Sequence, residues 1–211
     1  MTARQPMETT VIDKRGTFER LRAGEEISIE LGCGPRKRDA QSIGIDMLDL
    51  PGVDIVGDVF EVLARFPDRC VRAVYTAHFL EHVSDLPRLL SEIARVSAVD
   101  ATIRITVPHF SNPFYHSDPT HRTPFGLYTL AYFCEQHLFR RTIPRYGFEV
   151  PLLLESVQLQ FKSYPPRYLR HALKRAWGAL INLSMFTREF YEENLCWIVP
   201  AYEIDYTLRR R

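Results

Sequence analysis

An open α/β domain, doubly wound around a mostly parallel seven-stranded sheet whose last strand is antiparallel, is the fold class that the sequence predicts. Three observations carry that expectation. Short apolar runs recur between polar stretches, as strands buried on both faces of a sheet require. A stretch with helical spacing, Asp85 to Val96, lies between two of those runs, and the alternation of strands and helices implies right-handed βαβ units. Turn residues punctuate the runs, with Gly32 and Gly34 after the first and Pro108 after the last of the early ones.

In chain order, Ile27 to Leu31 reads as a strand ending in a glycine turn that opens a helix, and Gln41 to Ile45 as a strand ending at Asp46. Val53 to Val56 and Val71 to Thr76 follow as a third and fourth strand. Leu86, Leu89, Leu90, Ile93 and Val96 then fall on one helix face, with Ser84 as the expected N-cap. Thr102 to Val107 alternates β-branched and apolar residues until Pro108 stops it. A polar loop to about Pro124 precedes an expected helix from Leu127 to Phe139. Leu152 to Phe161 and Trp197 to Leu208 are two late strands expected as an edge hairpin, with a helix from Arg167 to about Phe190 between them.

The 211 residues suit a single domain that buries its own core, and 45% apolar with 25% charged residues excludes disordered and fibrous classes. A net charge of +1 gives no field that would draw the chain to nucleic acid, so no nucleic-acid partner is expected. The four cysteines are scattered, without a CxxC pair, and read as reduced thiols in a cytoplasmic protein. The first 25 residues lack an apolar core, and no run of about 18 apolar residues occurs, so neither a leader nor a membrane span is expected.

The glycine turn carries the first chemical signal. Glycines after a strand let backbone amides approach a ligand closely, and an acidic residue at the end of the next strand, here Asp46, can accept both hydroxyls of a ribose. A dinucleotide would want a third small residue where Pro35, Arg36 and Lys37 stand, which argues against an NAD-dependent dehydrogenase. Glu30, just before the glycines, suits a ligand with an ammonium group and suits a pyrophosphate badly. Asp58 could accept an adenine amino group or cap a helix beginning at Phe60. Thr76, Ala77 and His78 end the fourth strand, where ligands meet open α/β sheets, while His82 reads as a buried structural histidine.

From Ile29 to about Phe125 the chain resembles the class I S-adenosylmethionine (SAM)-dependent methyltransferases, in particular the type 11 group. The matching blocks are ELGCGP, IGIDML, VDIVGDV, AVYTAHFLEHV, LLSEIARV and IRITVPHF. The resemblance implies a Rossmann-like fold with SAM as cofactor. By it, Glu30, Gly32 and Gly34 border the methionine part of SAM, Asp46 holds the ribose and Asp58 with Val59 meets the adenine; Cys33, Met47, Thr76, Ala77 and His78 complete the expected cofactor set. Ala73 and the turn Ser97 to Asp100 depart from the family pattern at positions away from the cofactor.

On this reading residues 108–150 form an acceptor-side lid, 1–26 an N-terminal extension and 167–191 a covering helix within one domain. The loop His109 to Arg122, which includes a recurrent DPTH segment, is the expected acceptor region, with His116 or His121 as general base and Asp118 orienting it. Its histidine spacing matches no fixed-geometry zinc motif, so no metal is expected. The basic, amphipathic stretch from Arg167 is expected to pack on the core, its aromatics lining an acceptor pocket or a homodimer contact. The predicted reaction moves a methyl group from SAM to an oxygen or nitrogen of a small molecule; a noncatalytic SAM-binding scaffold is the alternative, with the dehydrogenase behind it.

Overall fold

The computed structural model describes residues 10–144 and 146–211, so the first nine residues of the expected N-terminal extension lie outside the described residues. Nine strands form one sheet in the order β1-β4-β3-β2-β5-β6-β9-β8-β7. The strands are β1 (Ile12–Asp13), β2 (Ile27–Leu31), β3 (Ile43–Asp46), β4 (Ile55–Val56), β5 (Val71–Ala77), β6 (Ser97–Pro108), β7 (Cys134–Gln136), β8 (Val150–Gln160) and β9 (Glu203–Arg210). The seven expected strands are β2 to β6, β8 and β9; the additions are the short edge strands β1 and β7.

The last strand is antiparallel as expected, but it does not close an edge hairpin: β9 inserts between β6 and β8 and pairs antiparallel with both. A central position suits its alternation, because Ile204, Tyr206 and Leu208 are buried on one face while Asp205, Thr207 and Arg209 take the other. The apolar face runs across the sheet through Ile29, Val74, Ile103, Tyr206 and Val157, all buried. Against the sheet and its edges pack the helices α1 (Thr17–Arg22), α2 (Val59–Leu63), α3 (Leu86–Val96), α4 (Tyr168–Ile181) and α5 (Met185–Asn194). The opposite face is polar, and a cavity of about 560 Å³ lies on it among Arg38, Tyr75, Arg104, Gln158, Asp205 and Thr207.

Helix α3 matches the expected span, but Asp85 rather than Ser84 caps it, accepting the Arg88 backbone N–H at 3.0 Å. Asp85→Ala should cost about 1 kcal/mol in a urea titration, the usual loss for an N-cap carboxylate.

Two expected helices are rebuilt by their surroundings. Leu127 to Phe139 holds only a 3₁₀ turn, Thr129–Tyr132, before β7. Its apolar spacing mimics a helix, yet the Tyr206 hydroxyl donates to Gly126 O and the Leu127 N–H donates to Glu192 Oε1, and the free edge of β8 pairs with Cys134–Gln136 despite their weak strand preference. The stretch from Arg167 breaks at Asn182, whose amide exchanges two hydrogen bonds with the backbone of Leu159, and Ser184 and Thr187 start α5 with a reciprocal cap.

Helix α4 also contradicts the expected core packing of its leucines. Leu169, Leu173 and Leu180 are 76%, 64% and 58% exposed, because Gly178 rests on the Phe161 ring and turns Trp177 and Ile181 inward instead. The apolar arc of the helix is wider than the surface available to bury it.

Candidate active site

The carboxyl ends of β2 to β6 form two adjacent cavities that share His82. The first, about 250 Å³, lies along the glycine loop and is lined by Gly32, Ile45, Asp46, Met47, Gly57, Asp58, Val59, Phe60, Phe79, His82, Val83, Ser84 and Arg122. Gly32 and Gly34 have φ of 64° and 56°, a region open to glycine at little cost. At Gly32 space is lacking as well, since an added Cβ would stand 2.6 Å from the Phe79 ring.

No helix follows this loop; residues 32–42 cross to β3 in turns. The expected helix N-terminus, with its positive end aimed at the ligand, is therefore absent. Tertiary anchors hold the loop instead. The Arg38 N–H donates to Glu30 Oε2 at 2.8 Å, the Gly34 N–H donates to Asp46 Oδ2 at 2.9 Å, and Lys37 Nζ reaches both Ser42 O and Asp54 Oδ2 at 2.7 Å.

Asp46 stands at the tip of β3 with one oxygen on the Gly34 amide and the other, Oδ1, on the Leu48 amide at 2.9 Å. A carboxylate has about four acceptor positions, so two remain for a diol. Asp58 caps α2 through Oδ1, which accepts from Phe60 N and Glu61 N, while it also lines the cleft. The two readings of Asp58 are thus compatible. Of the other residues expected at a cofactor, Met47 and Val59 line this cleft, Glu30 lies beneath the loop, and Cys33 packs with Val53 and Val56, its thiol pushed up to about 12 by burial. Thr76 is buried, and Ala77 ends β5.

The second cavity, about 260 Å³, is lined by His78, Glu81, His82, Pro108, Asn112, Phe114, Tyr115, Asp118, His121 and Tyr202. His78 has a φ of 53°, a strained conformation for a non-glycine residue. Its Nε2 pairs with Glu203 Oε1 at 2.9 Å, and Nδ1 lies 3.6 Å from Glu81 Oε1. Hydrogen bonding to Glu203 and then the neighbouring Glu81 carboxylate raise its pKa to about 9, so the ring is an imidazolium at neutral pH.

Asp118 and His121 meet here, Oδ2 to Nε2 at 3.7 Å. His116 does not join them: it is exposed and its ring nitrogen Nε2 lies 3.0 Å from Phe110 O. His109 is buried between Ser111 and Glu192, outside both cavities. Sequence reasoning missed Phe79, Arg122 and the pairing partner Glu203, and it gave His82 only a structural role. The LEH pattern was the signal for His82; nothing local in the sequence links Glu203, on the inserted last strand, to His78.

Residues 29–105 match the model of a family described as methyltransferase domain. A SAM-dependent methyltransferase from Archaeoglobus fulgidus has a similar fold, with a TM-score of 0.52 at 19% identity over 94% of this chain and 95% of that one. Phosphoethanolamine N-methyltransferase 2 from Haemonchus contortus, solved with S-adenosyl-L-methionine, gives a TM-score of 0.50 at 13% identity over 89% of this chain. The match spans 49% of that enzyme's own length. No curated protein sequence matches the chain.

Proposed function

We propose that this chain, which carries a class I SAM-dependent methyltransferase domain, transfers the methyl group of SAM to an oxygen or nitrogen of a small molecule bound in the cavity beside the glycine-loop cleft. The observation that carries the reading is the adjacency of the two cavities across His82, one built for an adenosyl ligand and one lined by titratable groups.

The residues of the cleft fit the cofactor. The cradle at Gly32 would be filled by a single Cβ, Asp46 keeps two acceptor positions for the ribose, and Asp58 keeps Oδ2 for the adenine amino group. Glu30, Gly32 and Gly34 would hold the methionine part. A dinucleotide fits less well, because the loop offers a pyrophosphate no helix N-terminus. Bound SAM supplies an electrophilic methyl group; the chain's own task is to bring an acceptor in line with it and keep water out.

Removal of a proton from an acceptor that arrives protonated falls to Asp118 and His121, which line the acceptor cavity, rather than to His116. Residues 109–125 roof this cavity, tied down where the Arg122 N–H donates to Glu81 O at 2.7 Å and Phe125 is buried in the core. They form the first part of the acceptor-side lid expected over 108–150. No helix among the described residues is long and apolar enough to cross a membrane.

Calorimetric titration with SAM tests the cofactor reading. Asp46→Ala should weaken binding by about 10- to 100-fold, the loss expected for hydrogen bonds to a charged acceptor. Wild-type protein that binds NAD and not SAM would overturn the proposal, and a screen of small hydroxyl and amine acceptors for demethylated cofactor would separate an enzyme from a SAM-binding scaffold.

A further inference from the structure

We propose that Glu81, His82 and His121 form a binding site for a divalent transition-metal ion in the wall of the acceptor cavity. One ligand atom from each lies within 4.8 Å of the other two. Glu81 is fully buried, and neither of its carboxylate oxygens has a hydrogen-bond partner. A buried carboxylate left without hydrogen bonds is costly; the His78 ring, 3.6 Å from Oε1, offsets part of its charge without bonding to it, and Oε2 stays open to a metal ion.

The imidazoles are set to ligate. Thr120 Oγ1 donates to Asp118 Oδ1 at 2.6 Å, so it accepts from His82 Nδ1 at 2.8 Å and fixes the tautomer that leaves the His82 Nε2 lone pair free. The carbonyl of Tyr115 can only accept, so His121 Nδ1 donates to it at 2.8 Å and Nε2 again holds the free lone pair. Both rings thus carry the outer hydrogen bond that orients a metal-binding histidine. His82 Nε2 lies 4.0 Å from Glu81 Oε1, and Asp118 Oδ2 lies 3.7 Å from His121 Nε2, where it can complete or adjust the set. Zinc holds nitrogen and oxygen at about 2.0–2.2 Å, so the ligands need only draw in by about an ångström.

Two imidazoles and one carboxylate suit zinc or iron(II), with positions left open toward the cavity. The role of the ion rests on the acceptor reading of that cavity: an acceptor hydroxyl bound to it would lose its proton more readily, with His121 serving as ligand rather than as free base. The ligands come from two separate parts of the chain, which is why the loop's own histidine spacing gave no sign of them. The remaining loop histidines, His109 and His116, are held by Glu192 and by Phe110 O.

The full chain, stripped with a chelator and dialysed, would be titrated calorimetrically with zinc chloride, and its cobalt(II) form examined by visible absorption. One ion per chain is expected, with cobalt bands that disappear in His82→Ala. His121→Ala should bind at least about tenfold more weakly, and Thr120→Val, which loosens only the outer hydrogen bond, about tenfold. Thermal unfolding would show that the variants are folded; should His82→Ala fail to fold, His121→Ala and Thr120→Val still decide. No saturable binding, or binding unchanged in His82→Ala and His121→Ala, would overturn the site. A parallel SAM titration keeps the readings apart: ion binding without SAM binding removes the methyltransferase reading alone, and SAM binding without ion binding removes the ion site alone.

Discussion

Gly32→Ala is expected to weaken SAM binding by on the order of 100-fold or more while leaving a folded protein of reduced stability. Two independent costs add at this position. A φ of 64° places an alanine in the left-handed region, at about 1–2 kcal/mol. Its Cβ would then stand 2.6–2.7 Å from three atoms of the Phe79 side chain, and overpacking of that kind costs typically 1–3 kcal/mol unless the ring moves. Phe79 lines the cleft with Gly32, so relief by movement of the ring reshapes the cofactor site itself. Calorimetry with SAM and thermal unfolding of the same variant separate the two effects. Unchanged affinity would show that the loop and Phe79 do not shape the binding surface.

Asp54→Ala is the second large effect, expected on stability. Asp54 is 4% exposed and gathers three groups: Lys37 Nζ at 2.7 Å, Arg15 Nε at 2.7 Å and the Gly44 N–H at 2.8 Å. The Lys37 side chain is 9% exposed, so removing its partner leaves a buried charge and an amide unmet. Breaking a buried pair in this way costs about 3–5 kcal/mol, which for a domain of this size lowers Tm by roughly 6–20 °C. Arg15→Ala is the control, since that side chain is 55% exposed and its ion pair is worth at most about 1 kcal/mol. Equal effects from the two variants would contradict the assignment. SAM affinity should fall with Asp54→Ala as well, because Lys37 ties the glycine loop to β4 through this carboxylate.

The early strands and the glycine-loop cleft proposed for the cofactor were legible in the sequence because both are local. The run Ile27 to Leu31 is buried throughout and Val71 to Thr76 buries Val71, Val74 and Thr76, so the apolar pattern survives without knowledge of its neighbours. Gly32, Asp46 and Asp58 sit at strand ends, and strand ends bring them to one edge whatever the rest of the chain does.

What only the tertiary structure decided involves residues far apart in the chain. Whether residues 127–139 became helix or strand depended on the open edge of β8 and on Tyr206 and Glu192, to which local apolar spacing is blind. The glycine loop, read from the sequence as the start of a helix, is a turn braced by Asp54 and Asp46, and its helix dipole is replaced by side-chain anchors. His82 was legible as a residue but not as a neighbour of His121, because loop closure over Glu81 sets that proximity. The cleft proposed for the methyl donor was therefore written in the sequence through strand ends, while the proposed acceptor cavity was written only in the packing of the loop 109–125 against Glu81, Tyr202 and Tyr206.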